Sequence, residues 1–167
     1  MATLPKISPC LWFDDQAEEA ARFYVSVFDD AEIDMITRYG EEGFEIHGRP
    51  EGSVMTVDFV IGDQRFTALN GGPHFTFSEA VSFQVFCEDQ AEIDRFWSAL
   101  SEGGEEGQCG WLKDRFGLSW QVVPTAMTEM MRDGDPAGVA RVTEAFLQMK
   151  KFDLAALERA YAGSDAS

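Results

Sequence analysis

The sequence predicts an α+β fold built from two tandem βαβββ modules with extra C-terminal helices. Three observations carry this expectation: a repeated tetrapeptide, the same strand-then-helix pattern around each copy, and a helical tail that belongs to neither copy. Asp15-Gln16-Ala17-Glu18 recurs as Asp89-Gln90-Ala91-Glu92, and the same offset brings Ser8 onto Ser82 and Ile7 onto Val81. One deletion then aligns Arg22-Phe23-Tyr24 with Arg95-Phe96-Trp97. A short repeat placed between a strand-like and a helix-like run in both copies marks a duplicated unit.

Each copy supplies a reason to start a helix. Aspartate at the N-cap with glutamate three residues later is a capping box that satisfies backbone N–H groups lacking a partner in the first turn. Ala20, Ala21, Tyr24, Val27 and Phe28 then recur at helical spacing in the first copy, and Ile93, Phe96, Trp97 and Leu100 in the second. Residues alternate with period two from Ile7 to Phe13 and from Val81 to Cys87, predicting a strand before each helix. After the first helix, strands are expected at 33–39, 54–61 and 65–70, with an acidic Gly-containing loop at 40–53 and a tight Gly62-Asp63 hairpin. The second copy is shorter, with strands near 109–113 and 118–123 and a further one within 104–108.

Beyond Pro124 the spacing predicts helices over 125–131, 136–149 and 154–162, the second opened by Asp135-Pro136 and the third capped by Asp153. The chain thus reads as one domain, 1–167, with halves 1–75 and 80–124 and a tail 125–167. The apolar face of the tail (Val139, Val142, Phe146, Met149) must cover either its own sheet or a partner's. Gly163 to Ser167 are expected to fray.

A chain of 167 residues can bury roughly 70% of the surface it exposes unfolded, enough for a proper core. Thirty acidic against thirteen basic residues give a net charge of −17, which repels phosphate backbones and anionic lipid headgroups. Nucleic-acid and membrane partners are therefore not expected. No basic n-region and apolar h-region open the sequence and no long apolar run follows, so the expected location is cytoplasmic. Cys10, Cys87 and Cys109 are odd in number and widely spaced, which points to neither a disulfide framework nor a zinc knuckle.

Motif detail goes further. Pro9-Cys10-Leu11-Trp12-Phe13-Asp14, Ala68-Leu69-Asn70-Gly71-Gly72-Pro73, Ser82-Phe83-Gln84-Val85, Asp114-Arg115-Phe116-Gly117, Ser119-Trp120-Gln121-Val122-Val123-Pro124 and Met149-Lys150-Lys151-Phe152-Asp153 together resemble the PhnB-like, or 3-demethylubiquinone 3-methyltransferase-like, branch of the glyoxalase/bleomycin resistance/dioxygenase (vicinal oxygen chelate) superfamily. The resemblance spans nearly the whole chain. It implies that each module curls into a cupped mixed β-sheet, that a small-molecule ligand binds there, and that the protein is a homodimer. It does not imply one reaction, because the superfamily hosts lyases, isomerases, ring-cleaving dioxygenases and sequestering proteins.

Strand alternation sorts the side chains into two faces. Leu11, Phe13, Met55, Val57, Phe59, Ile61, Phe83, Val85, Trp120 and Val122 form rows suited to packing under helices. The opposite rows are mixed, and the pocket residues expected from them are Cys10, Trp12, Asp58, Asn70, Gln84 and Gln121. Sparse polar groups on an apolar wall fix a ligand's orientation while apolar area supplies affinity. The positions that the resemblance equates with metal ligands are Cys10, Ala68, Gln84 and Gln121; none is His, Asp or Glu, so no metal or other cofactor is expected. His47 reads as a surface residue, and His74 lies in the linker, within reach of a pocket mouth. Asp58, the single carboxylate on the mixed face, is either a general base or the partner of Arg65 across the hairpin.

Two alternatives remain: a metal-dependent lyase or dioxygenase using Asp58, His74 and Cys10, and a methyltransferase. Against the latter, Gly71-Gly72 and Gly103-Gly104 are not placed between a strand and a helix, as a nucleotide-type Gly-rich turn would be.

Overall fold

A computed structural model describes residues 5–163. Two compact units are present, Met1–Thr76 and Phe77–Ser167. The first runs β1 (Cys10–Phe13), α1 (Ala17–Val27), β2 (Ala31–Arg38), a short α2 (Phe44–His47), β3 (Val54–Ile61) and β4 (Gln64–Asn70). The second runs β5 (Ser82–Cys87), α3 (Gln90–Ser101), β6 (Glu105–Glu106), β7 (Trp111–Lys113) and β8 (Ser119–Pro124), followed by α4 (Thr125–Asp133), α5 (Pro136–Phe146) and α6 (Leu154–Ala162).

The strand orders are β1-β4-β3-β2 and β5-β8-β7-β6, and in each sheet the first strand pairs in parallel with the last. Each unit is therefore a βαβββ module with a four-stranded mixed sheet, as the repeat predicts. The first strand is shorter than expected. Pro9 has no N–H to give the ladder, so pairing starts at Cys10, although the Pro9 carbonyl still accepts the Thr67 N–H at 3.0 Å.

Helix α1 buries Ala17, Ala20, Ala21 and Tyr24, a stripe at helical spacing, against the face of its sheet that carries Val57, Phe59, Phe66 and Ala68. Tyr24 and Phe59 lie 5.9 Å apart by ring centroid. In the second module α3 covers Val85, Trp120 and Val122 with Ile93, Phe96, Trp97 and Leu100.

The identical tetrapeptides start their helices differently. Asp89 is a true N-cap whose Oδ1 accepts the Glu92 N–H at 2.9 Å, while Glu92 reaches back to the Glu88 N–H at 2.8 Å. In the first module the expected capping box does not form. Its N-cap is Gln16, which makes no side-chain cap bond, and the Ala17 N–H is taken instead by Asn70 Oδ1 at 2.8 Å.

The C-terminal helices fold onto their own module. Val123, Val142, Phe152 and Leu157 form a buried cluster joined by Met130, Phe146, Met149 and Tyr161. Met149 and Lys150 carbonyls accept the Cys109 and Gly110 N–H groups, both at 2.7 Å. Gly110 is required there: its φ is 78°, and an added Cβ would lie 2.5 Å from the Phe152 ring. Three of the four tail residues expected to need cover, Val142, Phe146 and Met149, thus find it in cis. Gly163 is the left-handed C-cap of α6, and the remainder of the expected frayed end, 164–167, lies outside the described residues.

Candidate functional site

The faces turned away from α1 and α3 carry the candidate chemistry. In the first sheet, register places Cys10 beside Thr67, Asp58 beside Thr67, and Val60 beside Arg65. The open face therefore holds Cys10, Trp12, Thr56, Asp58, Arg65, Thr67 and Leu69. Asn70, expected on this face, lies instead on the α1 side with Phe66 and Ala68. Asn70 is buried, and its amide is spent on the Ala17 N–H and, through Nδ2, on the Val54 carbonyl at 3.1 Å, so it is a structural residue and not a pocket wall.

The cause is the hairpin. A two-residue Gly62-Asp63 connection pairs Ile61 with Gln64 and hence Asp58 with Thr67, so even positions of one strand share a face with odd positions of the next. That signal was legible in the sequence, and it makes Arg65 and Thr67 the pocket-facing residues of β4.

Asp58 does not stand alone. Thr67 Oγ1 donates to its Oδ1 at 2.6 Å, and Arg65 Nη2 lies 3.2 Å from its Oδ2. Arg65 also reaches Asp34 Oδ2 at 2.6 Å. Asp34 arrives there through a register irregularity between Ile33 and Met35, a bulge that re-aims one side chain and that no period-two pattern reveals. The two carboxylates hold the Arg65 guanidinium above its usual range, Asp34 contributing most. Ser8 closes the group by donating to the Arg65 carbonyl at 2.8 Å. Asp34, Asp58, Arg65, Thr67 and Ser8, with Pro5 and Met35, line a recess of about 510 Å³.

Cys10 is exposed on the same face, and its thiol is pushed up, first by partial burial of the sulfur and then by the Asp58 charge. It is a poor nucleophile at neutral pH. Trp12 is half-buried; its Nε1–H donates to the Gly72 carbonyl at 2.9 Å, and its ring meets Phe75 edge-on at 5.0 Å. Gly71 packs so closely under the indole that a Cβ there would fall 2.2 Å from it.

In the second sheet Gln84 and Gln121 are register partners on the open face, as expected. Gln84 is exposed, whereas Gln121 donates through Nε2 to Ser82 Oγ at 2.8 Å. The Asp114-Arg115-Phe116-Gly117 motif is architectural: the buried Asp114 carboxylate accepts from Phe116 N–H, Leu118 N–H and Trp120 Nε1–H, and so shapes the turn between β7 and β8.

A divalent ion is not suited by these side chains. Of the positions that the resemblance equates with ligands, Ala68 lies under α1 without a donor, and Cys10, Gln84 and Gln121 provide one raised thiol and two amides. Asp58, His74 and Cys10 do not converge either: among the described residues no three His, Cys, Asp or Glu side chains come together as a metal site. His74 is exposed. His47 is half-buried in the 40–53 loop, where Nδ1 accepts the Arg49 N–H at 3.0 Å and Nε2 is 3.1 Å from the Glu42 carbonyl; both ring nitrogens serve the loop.

Paired βαβββ modules with open sheet faces define the glyoxalase/bleomycin-resistance class of fold. Within it, the chain belongs to the family described as 3-demethylubiquinone-9 3-methyltransferase, whose model matches residues 5–123. The PhnB protein of Bacillus cereus is 35% identical, with the match covering 72% of this chain and all of that one at a TM-score of 0.64. Protein PA1353 of Pseudomonas aeruginosa (22% identity, 72% and 98% coverage, TM-score 0.57) and the fosfomycin resistance protein FosX of Mesorhizobium loti (17%, 78% and 98%, 0.52) share the fold. No curated protein matches the chain. Among the described residues, no helix is long and apolar enough to cross a membrane.

Proposed function

We propose that this chain is a metal-free small-molecule-binding member of the vicinal oxygen chelate superfamily, cytoplasmic and homodimeric, whose ligand sits on the open face of the first sheet. The recess framed by Asp34, Asp58, Arg65 and Thr67 carries this reading. Its polar groups are locked by hydrogen bonds to one another, which is the preorganised arrangement that orients a ligand at low entropic cost.

The same bonds disfavour acid–base work by the protein. Both Asp58 carboxylate oxygens are engaged, one by the Thr67 hydroxyl and one by Arg65, and the Cys10 thiol is pushed up, so the site offers neither an unoccupied base nor a ready nucleophile. Sequestration, or a reaction whose substrate supplies its own reactivity, suits these groups better than acid–base catalysis.

Native mass spectrometry of the chain as purified, and after exposure to a metabolite extract, tests the reading. A retained small molecule that is lost in Met35→Trp, which fills the recess from an exposed position, is the expected result. Equal retention in that variant, or no retained molecule at all, would overturn it.

The family description favours methyl transfer as a second reading. Gly71-Gly72 follow β4 without leading into a helix, and Gly103-Gly104 follow α3, so neither pair forms a strand–turn–helix cradle. Calorimetry with adenosylmethionine decides it, with no binding expected.

A further inference from the structure

The second module holds a polar group that its fold does not explain. Ser119 is 1% exposed, and its Oγ is the one buried side-chain oxygen or nitrogen among the described residues without a hydrogen-bond partner. Native structures rarely leave a buried hydroxyl unsatisfied unless a water, ion or ligand belongs there.

Register defines its surroundings. Glu105 stands opposite Lys113, Lys113 opposite Ser119, and Ser119 beside Ser82, so the four form one cross-strand row on the face opposite Trp120 and Val122, the residues under α3. Trp111 stands opposite Gln121 on the same face. Ser119, Lys113, Glu105 and Trp111, with Glu79 and Glu106, line a recess of about 170 Å³.

Its charge is lopsided. Lys113 Nζ is 2.5 Å from Glu79 Oε1, and Glu106 accepts the Trp97 Nε1–H at 2.9 Å. Glu106 is thereby spent on the α3 side, which leaves two carboxylates, Glu79 and Glu105, around the one Lys113 ammonium. A carboxylate, an indole face and a hydroxyl acceptor around a net negative recess are the groups that recognise an organic cation, whose N–H groups go to oxygen and whose carbons lie on the ring.

We infer that the Ser119 recess binds a small organic cation, a primary ammonium or a guanidinium, with Ser119 Oγ and Glu105 as acceptors and Trp111 as the aromatic wall. Lys113 is the intramolecular competitor, because its ammonium, paired with Glu79, stands opposite Glu105 and adjoins Ser119 in the same row. The inference does not rest on the first-module recess, and Met35→Trp leaves it untouched.

Titration of the full chain at low ionic strength with agmatine and benzylammonium, and with acetate and inorganic phosphate as anionic controls, tests it. At least one amine should bind and neither anion should. Ser119→Ala and Glu105→Gln should each weaken the amine about tenfold, whereas Lys113→Met should tighten it. Without ligand, Ser119→Ala should keep or raise the melting temperature, since alanine removes an unsatisfied hydroxyl. Failure of both amines to bind at millimolar concentration, binding unchanged in Ser119→Ala, or anion binding that Lys113→Met abolishes would each overturn the assignment. So would a lower melting temperature for unliganded Ser119→Ala, which would mean that ordered water already satisfies the hydroxyl.

Discussion

Asn70 caps helix α1 from the end of β4: its Oδ1 accepts the Ala17 N–H at 2.8 Å across 53 residues of sequence. The equivalent duty in the second module is local, from Asp89 to Glu92. Removing Asn70 should therefore strand the buried Ala17 N–H and the half-buried Val54 carbonyl. Asn70→Ala is expected to cost roughly 2–4 kcal/mol, Asp89→Ala about 1 kcal/mol, and Asp15→Ala under about 0.5 kcal/mol. Urea unfolding of the three variants checks the order, and a large effect at Asp15 would contradict it.

Gln84 and Val85 are adjacent on β5 but face opposite ways, the first exposed and the second 8% exposed under α3. Gln84→Leu should leave thermal stability nearly unchanged while altering any ligand contact on the open face. Val85→Ala should cost roughly 1–3 kcal/mol through lost burial and a residual cavity. Thermal melts paired with ligand titration separate the two.

The cysteines should titrate in an order set by their surroundings. The Cys87 thiol is pushed up to about 12, chiefly by burial, and Cys10 is raised less while remaining exposed. Alkylation of native protein should modify Cys10 slowly at pH 7 and faster as the pH rises, leaving Cys87 intact until unfolding. Asp58→Asn removes a charge that disfavours the Cys10 thiolate and should quicken its reaction; mass mapping of the adducts against pH reads this, and an unchanged or slower rate would count against the assigned contact.

Asp135 caps α5 by accepting the Gly138 N–H at 2.9 Å and the Ala137 N–H at 3.1 Å, and these bonds, Gly138's foremost, hold its carboxyl below the usual range. A folded-state pKa below the unfolded value means that its contribution is present above about pH 4 and is lost as the pH falls through the folded value. Asp135→Asn keeps a capping oxygen without the titration. The variant should lose less stability than the parent between about pH 4 and pH 2, as followed by circular dichroism in acid titration.

Much of the architecture was readable from local pattern. Strand 54–61 and helix 154–162 fall where period two and the Asp153 cap place them, because alternation and capping act within a few residues. Two identical DQAE boxes, however, looked like two identical helix starts. Only the position of Asn70 decides which box needs its own aspartate, and a contact across 53 residues leaves no mark in either box.

The candidate site divides along the same line. Sequence by itself determined the duplicated βαβββ pattern, the helical tail and the outward parity of Cys10, Trp12, Asp58, Gln84 and Gln121; each follows from residue type and a short-range period. Tertiary structure alone decided that Asp34 enters through a bulge to share Arg65 with Asp58, that Ser119 is buried without a partner, and that the tail covers its own module. These depend on which strands lie side by side and in what register, and register is set by packing across the whole sheet rather than by any one segment's alternation.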